Sequence, residues 1–173
     1  MDAKLNVNVE LSELRKAIDS AREELTFGIQ HIPVDVKRLH KDAIIPYYAH
    51  DGDAGFDFFT IEDLEIQSDE TKLVKTGLSM AIPNGFEIQV RPRSGLSLNT
   101  GLIITNSPGT VDSTYRGEIG IIVRNTADET ITLDKGSKIA QGVLKKVPVA
   151  YFREVDELPE TERGTGGFGS TGG

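Results

Sequence analysis

The sequence predicts an all-β sandwich or barrel preceded by one amphipathic helix. Two patterns carry this expectation. From Ile32 onward, short β-rich runs alternate with turn signals about ten residues apart, the rhythm of small β-sandwiches and barrels. Before that point, Leu11, Leu14, Ile18, Ala21 and Leu25 recur at spacings of three and four, which places them on one helical face. The 173 residues suit one domain with an appendage, long enough to bury a core without covalent staples.

The helix takes its solvated faces from Glu13, Arg15, Lys16, Asp19, Arg22, Glu23 and Glu24, and Gly28 is placed to end it. Its stripe is shorter than the three or four heptads of a coiled coil. It therefore reads as a helix packed on its own domain or on a neighbour, with docking of a protein partner as the alternative. Strands are expected at Leu73–Met80, Gly85–Val90, Gly101–Thr105, Glu118–Val123, Thr130–Leu133 and Ile139–Val147. Pro83-Asn84-Gly85 and Asp134-Lys135-Gly136 supply turns between them. From Arg163 to Gly173 the chain is almost entirely Gly, Ser and Thr, a composition that builds no core of its own. The expected organisation is a helical extension over 1–31, a β domain over 32–160 and a glycine-rich arm over 161–173.

Composition narrows the chemistry. Without cysteine there is no disulfide framework, thiolate metal site or cysteine nucleophile, and a cytoplasmic setting fits. The net charge of -8 speaks against a nucleic-acid-binding surface spread over the chain. No apolar run is long enough for a membrane span, and Met1–Glu10 does not read as a secretory signal. The charge reverses locally. Between Ile88 and Asn125, four arginines stand against Asp112 and Glu118, a local +2 that suits a small polyanion. His31, His40 and His50 lack metal-ligand spacing. A magnesium ion here would be held largely by phosphates and water.

Five blocks carry the candidate chemistry, each with a structural alternative. Asp53-Ala54-Gly55-Phe56-Asp57-Phe58 offers carboxylates beside packed surface, or a turn cap before a strand. In Arg91-Pro92-Arg93-Ser94-Gly95-Leu96-Ser97, a guanidinium fork, a hydroxyl and an approachable backbone suit a phosphate, though a charged loop would look alike. Asn106 to Gly117 lacks strand alternation and reads as a loop. There Asp112 is a general base or an Asx-turn, and Tyr115 stacks on a ring or packs in the core. Gly136-Ser137-Lys138-Ile139-Ala140-Gln141 reads as a turn entering a strand. In the tail, Gly164, Gly166 and Gly169 satisfy G-x-G-x-x-G, but no βαβ unit surrounds them, so the dinucleotide reading fails. What remains is an arm, with Arg163 and Phe168, suited to fold over a flat anionic ligand.

Taken in order, Ala54-Gly55-Phe56-Asp57, Pro92-Arg93-Ser94-Gly95-Leu96, Gly109 through Gly117, Gly136 through Gln141 and Arg163 through Ser170 resemble the five motifs of the trimeric deoxyuridine triphosphatases (dUTPases). The resemblance runs from about Val34 to Gly173 and omits the N-terminal stretch. It implies a jelly-roll-like β fold, a homotrimer with sites at subunit interfaces, and Mg2+-dependent hydrolysis of dUTP to dUMP and pyrophosphate. That reaction would limit uracil in DNA and supply dUMP for dTMP synthesis. By matching position, Asp112 is the base for the attacking water and Asp57 holds metal-bound water in an outer-sphere role. Arg93, Ser94, Gly95 and Gln141 serve the phosphates. Tyr115 packs on the deoxyribose, Asn106 and the Gly120 backbone read uracil, and Arg163 and Phe168 close the arm from a neighbouring subunit.

Three positions depart from the family pattern. Phe58 implies a packing change, Gly142 a bulge after Gln141, and Thr114 replaces a frequent acidic residue. None removes a catalytic side chain. A dCTP deaminase on the same fold is a rival reading, disfavoured by the Tyr115 and Phe168 motifs.

Overall fold

The computed structural model describes residues 30–167. The expected helix over Leu11–Leu25, and Phe168 in the tail, lie outside the described residues. Within them the chain forms β1 (Asp35–Arg38), β2 (Phe56–Phe59), β3 (Leu64–Ile66), β4 (Thr71–Lys75), β5 (Leu78–Ala81) and β6 (Phe86–Arg91). A short helix α1 (Ser94–Thr100) follows, then β7 (Leu102–Ile104), β8 (Gly109–Val111), β9 (Gly120–Asn125), β10 (Ile131–Leu133) and β11 (Lys138–Lys146). The all-β expectation holds. The largest sheet has the order β2-β11-β6-β8, a second runs β4-β9-β7, and β1-β5 and β10-β3 are pairs.

Alternation builds the core. In β9, Ile121 and Val123 point inward while Ile122 and Arg124 face out, the period of two of a half-buried strand. Val74, Leu78, Ile88 and Ile139 meet these residues, and with Phe58 and Ile66 they form one continuous buried cluster. The predicted turns close as expected: Phe86 N–H donates to the Pro83 carbonyl at 3.2 Å, and Ser137 N–H to that of Asp134 at 3.0 Å.

Four expectations need correction. The single strand over Leu73–Met80 is two strands, β4 and β5, broken at Thr76-Gly77. Gly77 has φ 67°, a conformation that residues with a Cβ rarely adopt, and the buried Thr76 hydroxyl donates to the Ile119 carbonyl at 2.6 Å. Part of the block read as loop, Gly109–Val111, is strand β8, paired with Ile88–Val90. The block Arg91–Ser97, for which a charged loop was the structural alternative, instead enters helix α1 at Ser94. Finally, the bulge in β11 is not at Gly142, which pairs in register with Phe56 and Val90, but between Lys138 and Ala140.

Gly142 answers a packing need instead. A Cβ there would overlap the Phe56 ring and stand 2.8 Å from Cε2 of Phe58. The two rings pack edge to face, 5.4 Å between centroids. The departures at 58 and 142 are thus one arrangement: aromatic bulk on β2 fills the space that a side chain on β11 would need.

Candidate active site

The first half-site is a cleft of about 430 Å3 lined by Ala49, His50, Asp53, Ala54, Gly55, Asp57, Arg93, Ser94, Gly95, Lys138 and Gln141. Three segments distant in sequence meet there because β2 and β11 are paired, with Asp57 opposite Gln141, and Gln141 in turn opposite Arg91 of β6. Arg93 and Ser94 follow directly on β6. Five residues expected at one site (Asp57, Arg93, Ser94, Gly95 and Gln141) therefore share one cleft. Gly55 leaves room for its neighbour, since a Cβ would stand 2.6 Å from Oε1 of Gln141 and displace that amide. Gln141 is itself fixed by donating Nε2–H to the Pro92 carbonyl at 2.9 Å.

Charge in the cleft is paired around one carboxylate. Arg93 Nε lies 2.9 Å from Oδ1 of Asp57, and Lys138 Nζ lies 2.7 Å from Oδ2. Asp57 is nearly buried, with 12% of its side chain exposed. Two cations on one carboxylate leave a local excess of one positive charge at Asp57, while Asp53 also lines the cleft. The capping alternative describes Asp53 rather than Asp57: Asp53 Oδ2 accepts the His50 N–H at 2.9 Å.

Lys138 was not among the expected site residues, and its place depends on the bulge. Without an extra residue, Lys138 and Gln141, three apart, would face opposite sides of β11. With Ile139 inserted, Lys138 pairs with Phe59 and Gln141 with Asp57. Lys138, Asp57 and Gln141 then share a face, while Ile139 and Ala140 are buried. Bulges commonly re-aim a side chain in this way beside a site. The sequence signal was the Lys138 charge next to a turn, but nothing in it marks the bulge.

The second half-site is a pocket of about 200 Å3 lined by Thr110, Val111, Asp112, Tyr115, Glu118, Ile119 and Gly120. Its rim is a turn closed by bonds to main-chain carbonyls. Tyr115 N–H donates to the Asp112 carbonyl at 3.1 Å, the Tyr115 hydroxyl to the Glu118 carbonyl at 2.9 Å, and Arg116 to the Ser113 carbonyl at 2.7 Å. The Asp112 carboxylate is exposed and closes no Asx-turn. Tyr115 is half exposed, so the core-packing alternative fails for it. Asn106 lines neither pocket but lies against Gly109, its Nδ2 3.2 Å from where a Cβ would stand.

These half-sites do not meet within one chain. Asp57 is on β2, one edge of the large sheet, and Asp112 follows β8, the other edge. Three inter-strand spacings put them about 14 Å apart across the sheet. Arg163 lines neither pocket; its Nε–H donates to the Gly166 carbonyl at 2.9 Å within an exposed turn. Phe168 lies outside the described residues.

Together the β fold and the Arg93–Asp57–Lys138 cluster in its cleft define a protein with a site suited to a small anion. A family model described as dUTPase matches residues 41–172. The chain is 52% identical over 137 residues to a deoxyuridine 5'-triphosphate nucleotidohydrolase of Clostridium kluyveri, covering 79% of this chain and 96% of that one. It is 47% identical over 144 residues to the enzyme of the same name from Wolinella succinogenes, covering 83% and 97%. Its fold resembles the dUTPase of Staphylococcus bacteriophage 80alpha solved with dUPNHPP, with a TM-score of 0.76 and 29% identity, covering 82% of this chain and 99% of that one. It also resembles a mutant dUTPase of phage phi11 of S. aureus, in which coordination of a structural Mg(II) ion was described, with a TM-score of 0.68 and 27% identity, covering 73% and 98%. The chain belongs to the dUTPase family.

Proposed function

We propose that this chain hydrolyses dUTP to dUMP and pyrophosphate, using Mg2+, in sites completed between copies of a homotrimer. The observation that carries this reading is the division of the expected machinery into two half-sites on opposite sheet edges, each lacking what the other holds. A second copy supplying its Asp112 pocket to the Asp57–Arg93 cleft makes a whole site. The exposed apolar residues Leu73 and Ile122, paired across β4 and β9, with Ile103 on β7, offer a sheet face for such contact.

In this reading the cleft takes the triphosphate. Arg93 meets it with a guanidinium fork, Ser94 with a hydroxyl and Gly95 with main chain. A Cβ at Gly95 would meet nothing within 4 Å beyond its chain neighbours and its own helix, so that side of the backbone is open. Gln141 adds a side-chain amide. Asp112 accepts the proton of a water as its oxygen bonds to the α-phosphorus. The bond from that phosphorus to the bridging oxygen breaks, and pyrophosphate leaves with the electron pair. Positioning and charge stabilisation do most of the work in such transfers. Tyr115 packs on the sugar and excludes a 2′-hydroxyl, Asn106 and the Gly120 backbone read the uracil edge, and Arg163 and Phe168 close the arm from a neighbouring copy and exclude water.

The donor set suits a metal carried by the substrate. Among the described residues no three His, Cys, Asp or Glu cluster to hold an ion, and both oxygens of Asp57 already meet cations. Mg2+ with phosphate and water ligands, held by Asp57 through water, fits this arrangement. When bound it neutralises phosphate charge.

The reaction limits uracil in DNA and supplies dUMP for dTMP synthesis. No described helix is long and apolar enough to cross a membrane, and a cytoplasmic location suits an enzyme of the nucleotide pool. Direct nucleic-acid binding is no part of this reading. The expected extension over 1–31, with a protein partner as the alternative, falls outside the described residues save at Gln30 and His31, and 161–173 is the arm in this reading. The test is release of pyrophosphate from dUTP, dCTP, dTTP and UTP with Mg2+. Hydrolysis confined largely to dUTP supports the reading; ammonia released from dCTP would replace it with deamination.

A further inference from the structure

We propose that Lys138 is a positioning residue for triphosphate binding, acting through Asp57 on Arg93. The inference rests on the dUTP-hydrolysing reading of the same cleft. Three features of Lys138 set it apart from a surface lysine. Its Nζ lies 2.7 Å from Oδ2 of Asp57. It also sits over the Tyr47 ring at 5.7 Å and the Phe59 ring at 6.0 Å, contacts that favour an ammonium at that place. And a bulge in β11 turns it into the cleft rather than away from it.

The carboxylate between the two cations explains the role. Asp57 Oδ1 holds Arg93 by Nε, so the terminal nitrogens of the guanidinium remain for the cleft that Arg93 lines. Asp57 can hold Arg93 in one orientation only if its own carboxylate is fixed, and Lys138 fixes the second oxygen. Lys138 also cancels a charge: a nearly buried carboxylate facing a triphosphate repels it unless neutralised. Without Lys138, one carboxylate would serve a single cation, and Asp57 would be free to turn toward water and take Arg93 with it. The lysine thus converts an acidic residue inside an anion site from a liability into a brace.

The test is a double-mutant cycle read by binding of dUpNHpp, with dUTP hydrolysis measured alongside. Lys138→Met should weaken dUpNHpp binding about tenfold, the scale of one charge-assisted hydrogen bond. KM should rise by the same factor and kcat change little. Lys138→Arg, which keeps the charge and the donors, should return binding to within about threefold. In an Arg93→Met background the loss from Lys138→Met should shrink to about twofold or less, since residues acting through one another are not additive. Should Lys138→Met not melt cooperatively, Lys138→Gln takes its place in the cycle.

Unchanged binding by a folded Lys138→Met protein that still hydrolyses dUTP overturns the proposal alone. So does a full tenfold loss in the Arg93→Met background, because Lys138 would then act on phosphate independently of Arg93. If the unaltered protein neither binds dUpNHpp nor hydrolyses dUTP, the functional reading itself falls, and this inference with it.

Discussion

The Asp57 cleft and the Asp112 pocket belong to one large sheet but are built in opposite ways. The cleft is braced from within. Its carboxylate holds two cations, its glutamine is tied to the Pro92 carbonyl, and Gly55 leaves room for that glutamine. The pocket is braced by bonds from Tyr115 and Arg116 to main-chain carbonyls along its turn, and it leaves the Asp112 carboxylate and half of Tyr115 exposed. A site that binds a dense anion needs its cations fixed before the ligand arrives. A base and a stacking ring gain their environment from what covers them. The contrast teaches that one part of the expected machinery is held in place within a single chain while the other stands exposed, as the proposed sharing between copies requires.

Breaking the pocket should cost the most. Asp112→Asn removes the proposed proton acceptor but preserves shape, so kcat for dUTP should fall about a thousandfold, within the range for loss of a general base. Thermal melting should be unchanged, because Asp112 is exposed and its carboxylate braces nothing among the described residues. A retained rate would show that the pocket supplies no base.

Packing beneath the cleft comes next. Gly142→Val places atoms where the Phe56 ring stands and should destabilise the chain by about 1–3 kcal/mol, the usual range for overpacking. Phe56→Leu in the same chain should restore part of that loss, since it removes the ring atoms that collide. Urea midpoints for the two single variants and the double variant would read the coupling. Additive losses would break the argument that positions 56, 58 and 142 form one arrangement.

The smallest effect lies away from both half-sites. Lys135 Nζ donates to Oδ2 of Asp42 at 2.7 Å, and this bond, joined by the charges of Lys135, Lys41 and His40, holds the Asp42 carboxyl below its ordinary value of 3.8. The folded chain therefore binds fewer protons there than the unfolded chain. Its contribution is fully present above pH 3.8 and is lost as pH falls through the lowered value. Asp42→Asn should flatten the decline of the urea midpoint in that acid window. An unchanged decline would show that the pair adds nothing.

What was legible in the sequence follows what is local. The turns at Asn84-Gly85 and Lys135-Gly136, the alternation in Gly120–Asn125 and the order of the five blocks are all encoded within a few residues. The misses depend on distant partners. Helix α1 consists of Ser94-Gly95-Leu96-Ser97-Leu98-Asn99-Thr100, mostly poor helix formers. It is held instead by specific bonds: Thr100 Oγ1–H to the Leu96 carbonyl at 2.6 Å and Ser97 Oγ–H to that of Leu102 at 2.9 Å. Strand β8 is recognisable only through β6. Lys138 reaches the cleft only because β11 bulges against β2, and the reason for Gly142 lies in two phenylalanines more than 80 residues earlier. Asp57, Arg93, Ser94, Gly95 and Gln141, each expected at one site, share the cleft, but the separation of that cleft from the Asp112 pocket is a property of the sheet order, which no motif records.

That division can be tested by mixing two defective chains. Asp112→Asn keeps an intact cleft, and an Arg93→Ala variant keeps an intact pocket. Each alone should hydrolyse dUTP only slowly. If each site takes its cleft from one copy and its base from another, random mixing at equal amounts makes about a quarter of the sites whole in a closed ring. Co-refolded variants should then regain about a quarter of the unaltered rate. Activity no greater than the sum of the two defective proteins, in assemblies verified to contain both, would contradict a site shared between chains.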